Sequence, residues 1–301
     1  MGQQESNLSR IQTPDGRERT FVLSIPDGKA HPSGRALVVM LHGAGGSTLN
    51  VIAATRWDQL AQQEGFVVVF PNGTPSDESK QESFLGNPQT WNSGVGTSLA
   101  ANETSAHAKN IDDVGFIAAL IEHVASTTSI DRRQVFIAGH SNGAGMAYRV
   151  ASERSDLVAA VGVMAGHLAP GLQALRYPVS LIQISGDQDP FAPLEGGLAG
   201  TRRIKMMTRP ARLNPSDWAL ANGIMIDQPQ TIRDDETARV LQWRSNQAPG
   251  STEVRWIVVR NHGHAWAGGS NKLPGFLMGP KSTFVDATSE MWTFFKSHPK
   301  A

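Results

Sequence analysis

The sequence predicts an α/β fold, with a mostly parallel central sheet and helices packed on both of its faces. Three observations predict it. Short apolar runs rich in β-branched residues alternate along the chain with stretches of helical periodicity. Two of those runs, Ala36–Leu41 (ALVVML) and Phe66–Phe70 (FVVVF), are apolar at every position, as strands covered on both sides require. The 301 residues show no linker and no internal repeat, so one domain is expected over 1–301.

Taken in order, Thr20–Ile25 alternates apolar and polar like an outer strand, and the two continuous runs follow. Between them, Arg56–Glu64 reads as a helix that buries Trp57 and Leu60. Val114, Ile117, Ile121 and Val124 recur at helical spacing and mark one face of a second helix. Gln134–Ala138, Ala159–Met164, Val179–Ile184 and Val254–Val259 continue the strand series, with a helix over Gly143–Glu153 after the first of them. The last helix opens near Asp286, a good N-cap residue, and presents Met291, Trp292, Phe294 and Phe295. Two segments break the alternation: Thr74–Lys109, and Glu195–Glu236 with a short helix at Ser216–Asn222. Both follow strands, on the edge where such sheets place ligands, and the second is expected to be an extended or lid-like loop.

Composition narrows the partners. Lys+Arg and Asp+Glu both total 27, so no global field draws in nucleic acid or an anionic membrane. The basic stretch Arg202-Arg203-Ile204-Lys205 is read as solvated surface. With no cysteine, disulfides, thiolate metal sites and cysteine nucleophiles are excluded. No apolar run reaches the roughly 18 residues of a membrane span, and Met1–Arg10 lacks the apolar region of a signal peptide. His262 and His264 offer only two ligands, so neither metal nor organic cofactor is expected.

Chemistry concentrates at Gly139-His140-Ser141-Asn142-Gly143, a G-x-S-x-G pattern lying between a buried strand and a helix. A serine lifted on that turn can act as a nucleophile only if a base takes its proton and a carboxylate orients the base. Of the nine histidines, only His262 and His264 follow a late strand after Ser141. His264 is favoured because Gly263 permits a close approach and Trp266 stands beside it. The loop Ser185-Gly186-Asp187-Gln188-Asp189-Pro190 offers two acids; Asp189 lies farther along it, whereas Asp187 could cap the turn. Backbone N–H groups of Ala44, in Leu41-His42-Gly43-Ala44-Gly45-Gly46, and of Asn142 are the expected oxyanion donors.

These motifs, with Glu64–Pro71, Thr90-Trp91-Asn92, Asp112–Phe116, Gly263-His264-Ala265-Trp266 and Asp286-Ala287-Thr288, make the chain resemble the bacterial polyhydroxybutyrate-depolymerase-like esterases, an α/β-hydrolase group that includes feruloyl and acetylxylan esterases. The resemblance implies Ser141, Asp189 and His264 as a catalytic triad, and it selects Asp189 over Asp187. It implies Trp91 and Trp266 as aromatic walls, with core filling as the other role open to each; His42 and His140 join them as expected substrate-binding residues. It further implies a small-molecule or oligomeric ester substrate, feruloyl or other aromatic or short-chain hydroxyalkanoate, and a secreted or periplasmic location, with a cytoplasmic one as the alternative. Relatives often carry a cysteine near the position of Ala44, from which this chain departs. An acyltransferase or a non-catalytic ligand-binding homologue is the rival reading, and oligomeric state stays open.

Overall fold

In the computed structural model, residues 8–95, 103–200, 205–225, 228–245, 252–270 and 275–300 are described. Arg202, Arg203 and Ile204 of the basic stretch, and the first seven residues, lie outside them. The strands are β1 (Leu8–Gln12), β2 (Glu18–Ser24), β3 (Arg35–Leu41), β4 (Val67–Pro71), β5 (Thr74–Pro75), β6 (Gln89–Thr90), β7 (Ile130–His140), β8 (Ala160–Met164), β9 (Ser180–Gly186), β10 (Gly197–Gly200), β11 (Lys205–Thr208), β12 (Gln230–Asp234), β13 (Ala238–Arg244) and β14 (Glu253–Val259). The helices are α1 (Thr48–Thr55), α2 (Trp57–Glu64), α3 (Asp113–Thr127), α4 (Asn142–Glu153), α5 (Leu213–Ala221), α6 (Gly275–Met278) and α7 (Ala287–Lys296).

Ten strands form one sheet in the order β1-β2-β4-β3-β7-β8-β9-β14-β13-β12. Its centre, β4 to β14, is parallel throughout, and antiparallel pairs close both edges. The continuous apolar runs now have their reason. In β3, Leu37, Val39 and Leu41 join a core with α3, α4 and α5, whereas Val38 and Met40 join a second core with α1, α2 and α7. Strand β4 divides the same way, Val67 and Val69 against Val68 and Phe70. With both faces buried, every residue must be apolar. The second core is stacked aromatics: Phe66 lies 3.9 Å from Trp292 and Phe136 lies 4.8 Å from Phe295, centroid to centroid.

Two expectations need correction. The outer strands β1, β12 and β13 were not anticipated, because none carries a continuous apolar run; all of β12 is exposed. The segment Glu195–Glu236 is also not one lid. Its first part is the β10–β11 hairpin, tied to the loop after β9 by Gly200 N–H donating to the Pro190 carbonyl at 2.7 Å. Its middle, α5, is core: Trp218 is fully buried and its indole N–H donates to the Val179 carbonyl at 2.9 Å. Its end is sheet.

Candidate active site

Strand β7 ends at His140 and α4 begins at Asn142, leaving Ser141 alone at the corner with φ 54° and ψ −119°. A residue with a Cβ adopts this conformation at a cost of about 1–3 kcal/mol, so the surroundings must impose it. They do so from two sides. The Ser141 N–H is held by the Met164 carbonyl at the end of β8, 2.9 Å away. The flanking glycines let the corner close: a Cβ on Gly139 would strike the Gly143 carbonyl, and one on Gly143 would strike the carbonyls of Leu41 and His42. The corner therefore presses against the C-terminal end of β3, and the N-terminus of α4 points at Ser141.

The structure brings Ser141, His264 and Asp189 together from three strand ends. His264 Nε2 lies 2.9 Å from Ser141 Oγ, and Nδ1 lies 2.9 Å from each carboxylate oxygen of Asp189. Asp189 Oδ1 also accepts the N–H groups of Phe191 (2.8 Å) and Ala192 (2.9 Å). Burial pushes the Asp189 carboxyl up, but the charge and hydrogen bond of His264 and the two N–H donors outweigh it, so the group titrates below the usual carboxylate range. An ionised Asp189 can only accept. Nδ1 therefore carries the imidazole proton, and the Nε2 lone pair faces the serine hydroxyl. The His264 N–H donates to Met278 (2.6 Å) and the Gly263 N–H to Pro280 (2.8 Å), which fixes the histidine loop. Asp187, the other acid of the loop, caps the turn instead: its Oδ1 accepts the His262 N–H at 3.2 Å.

Gly43 lies against Ser141, its missing Cβ only 3.2 Å from that of the serine, so the loop carrying Ala44 borders the hydroxyl. Among the described residues the N–H groups of Ala44 and Asn142 have no protein acceptor, as donors reserved for a ligand oxygen should. The Asn142 side chain clamps the neighbouring loop, accepting the Trp91 N–H (2.7 Å) and donating to the Trp91 carbonyl and Ser93 Oγ (both 3.1 Å). That loop is anchored from below by a buried ion pair. Arg19 lies 2.8 Å from Asp113 Oδ1, and Asp113 Oδ2 accepts the Asn92 N–H at 2.7 Å.

The four side chains expected to touch substrate sit elsewhere. Trp91 is fully buried and donates its indole N–H to the His42 carbonyl at 2.9 Å, bracing the loop that carries Ala44. Trp266 is 3% exposed and donates to Thr288 Oγ1 at 2.9 Å. Both are core filling. His42 lies between the Gly43 carbonyl (2.7 Å) and the Gly73 N–H (2.9 Å), and His140 Nε2 donates to the His264 carbonyl at 2.7 Å. Burial holds each of these two histidines down at about 4, neutral at ordinary pH. The cavity at Ser141 is lined instead by Ser93, Val95, His167, Phe191 and Met206, none of which the sequence singled out for this role. Phe191, two residues after Asp189, carried the nearest thing to a signal. Met206, from the β10–β11 hairpin, carried none. Among the described residues no three metal-binding side chains gather, and no helix is long and apolar enough to cross a membrane.

Residues 19–196 match the family described as esterase PHB depolymerase, more than half of the chain, and the chain belongs to that family. It is 31% identical over 202 residues to feruloyl esterase C of Emericella nidulans, a match covering 65% of this chain and 64% of that one. To feruloyl esterase B of Piromyces equi it is 23% identical over 253 residues, covering 82% of this chain and 42% of that one. Among solved structures, an acetyl xylan esterase from Aspergillus awamori shares the fold with a TM-score of 0.58 at 16% identity, covering 96% of this chain and 99% of that one. A thermostable esterase does so with a TM-score of 0.57 at 14% identity, covering 97% of this chain and 63% of that one. The fold is that of the α/β-hydrolases.

Proposed function

From a family of esterases and a site of this geometry, we propose that the chain is a serine carboxylester hydrolase working through an acyl-enzyme on Ser141. His264 takes the hydroxyl proton as Oγ attacks the ester carbonyl, and it returns that proton to the leaving alcohol. Water, activated by the same imidazole, then attacks the acyl-enzyme and frees the acid and Ser141. Asp189 holds the imidazole in the required tautomer and stabilises it when it is charged. The N–H groups of Ala44 and Asn142 receive the oxyanion, each worth on the order of 3 kcal/mol in the transition state. No step calls for a metal or organic cofactor.

The observation that carries the reading is the unbroken run of 2.9 Å contacts from Asp189 through His264 to Ser141. The strained serine at the head of α4 supports it independently. The relatives' names point to esters of feruloyl or short-chain hydroxyalkanoate acids as the substrate class. Turnover of p-nitrophenyl acetate tests the activity, with Ser141→Ala as control. The reading expects clear wild-type hydrolysis, loss of at least about a thousandfold in the variant, and covalent labelling of Ser141 by a fluorophosphonate. Wild-type inertness toward esters, or labelling at another serine, would overturn it.

A further inference from the structure

His167 stands in the wall of the cavity at Ser141, yet the mechanism above gives it no task. It follows β8 in the turn Ala165-Gly166-His167, on the same edge of the sheet as the three reacting side chains. One ring nitrogen is committed: Nε2 lies 3.1 Å from the Phe191 carbonyl, which can only accept, so Nε2 carries the proton. That assigns the tautomer and leaves Nδ1 with a lone pair. Among the described residues Nδ1 has no donor. Burial lowers the basicity of the ring, which keeps that lone pair unprotonated at neutral pH. The other cavity side chains are spoken for or apolar. Ser93 Oγ donates to the Val95 carbonyl at 3.0 Å and accepts from Asn142, while Val95, Phe191 and Met206 offer no acceptor.

We propose that His167 is a specificity residue whose Nδ1 accepts a hydrogen bond from a hydroxyl group of the ester seated in this cavity. An unpaired acceptor on a residue that lines the pocket discriminates chiefly by what it loses: a substrate without the hydroxyl leaves it desolvated and unpaired. The ester preferred is therefore one carrying an O–H donor, whether a phenol or aliphatic hydroxyl on the acid or a hydroxyl on the alcohol. The proposal rests on the esterase reading.

The test measures kcat/KM for three pairs in which a methyl group replaces the hydroxyl. They are methyl 4-hydroxycinnamate against methyl 4-methylcinnamate, methyl 3-hydroxybutyrate against methyl 3-methylbutyrate, and 2-hydroxyethyl benzoate against propyl benzoate. Comparing the ratio within a pair between wild type and variant cancels intrinsic reactivity and general damage to the enzyme. In at least one pair, His167→Leu should reduce the preference for the hydroxylated ester by about fivefold or more. His167→Asn, which returns an acceptor near the position of Nδ1, should restore most of it. His167→Ala is read in the same way should leucine not be accommodated. The pair that responds identifies which part of the ester fills the cavity. Unchanged ratios in all three pairs would refute the role of His167 while leaving the esterase reading intact. Wild-type failure on every ester would instead sink that reading.

Discussion

Replacing Asp189 by asparagine separates orientation from packing at the proposed triad. Asparagine is isosteric with aspartate, and its carbonyl oxygen can keep the N–H donors of Phe191 and Ala192, at 2.8 and 2.9 Å in the native site. The amide NH2 then faces His264 Nδ1, where a carboxylate oxygen stood at 2.9 Å. Oδ1, also 2.9 Å from Nδ1, keeps the N–H groups of Phe191 and Ala192, while the amide N–H now opposes Nδ1–H, which favours the tautomer with the proton on Nε2. There it points at Ser141 Oγ and cannot take the serine proton. The charge that stabilised the imidazolium is lost as well. In a serine triad this change costs on the order of 10⁴ in kcat, about 5.5 kcal/mol at 1.36 kcal/mol per decade. Asp187→Asn is the internal control. Asp187 Oδ1 accepts the His262 N–H at 3.2 Å, which an amide oxygen can still do, so kcat should stay within about threefold. The assay is steady-state hydrolysis of p-nitrophenyl acetate at pH 8, with thermal unfolding of both variants to show that each is folded. An Asp189→Asn enzyme within about tenfold of wild type, or an Asp187→Asn enzyme damaged to the same degree, would refute the assignment of the acid.

Two further predictions concern the frame around the site. Arg19 and Asp113 are 5% and 0% exposed, so Arg19→Met strands a buried carboxylate and should cost about 3–5 kcal/mol of unfolding free energy in urea. Adding Asp113→Asn, which can still accept the Asn92 N–H, should recover more than half; no recovery would mean that the pair is not the source of the loss. The second follows from His42, 1% exposed and held down at about 4. Because the unfolded chain takes up the proton first as pH falls below about 6.5, stability should drop by about 3 kcal/mol between pH 6.5 and 4 and change no further from this cause below that. His140 adds to the same window. Urea titrations at pH 7 and 4.5 should show a smaller drop in His42→Gln than in wild type, and equal drops would refute the contribution.

What was legible in the sequence followed burial. Strands covered on both faces announce themselves by continuous apolar runs, as Ala36–Leu41 in β3 and Val67–Phe70 in β4 do. The serine corner was legible for a related reason: the carbonyls of Gly143, Leu41 and His42 leave no room for a Cβ, so its glycines are imposed by contact. Strands β1 and β12 left little trace, since an edge strand buries one face at most and its ladder is formed by backbone groups common to every residue; β13 buries Ala238, Val240, Leu241 and Trp243 but interrupts them with Arg239, Gln242 and Arg244. The two tryptophans show a different limit. Trp91 and Trp266 stand close to site residues in sequence, but their indole N–H groups are given to the His42 carbonyl and Thr288 Oγ1. Proximity along the chain said where the loop was and nothing about which way the ring turned. The cavity residues His167 and Met206 were invisible for the same reason, being brought in by the turn after β8 and by a hairpin docked on Pro190.

The histidines around Ser141 show how the site sorts identical side chains into different tasks. His42, His140 and His262 each spend ring nitrogens on backbone: His42 on Gly43 and Gly73, His140 on the His264 carbonyl, His262 on the Ala265 carbonyl (2.9 Å) and the Ser282 N–H (2.9 Å). A neutral imidazole is suited to such pinning because it offers one donor and one acceptor on a rigid ring, and burial keeps it uncharged. Uncharged pins matter here. A cation at His42 or His140 would stand beside the reaction centre and oppose formation of the imidazolium at His264. Of these four, only His264 has a carboxylate on one nitrogen and a hydroxyl on the other, so it alone is placed to take a proton from Ser141. This also explains why His262 and His264, two residues apart on one loop, have different roles. Gly263 N–H and His264 N–H are both tied to the 278–280 segment, and that anchoring turns one ring toward Ser141 and the other into the loop it holds. The catalytic assignment therefore depends on the backbone around His264 as much as on the imidazole itself.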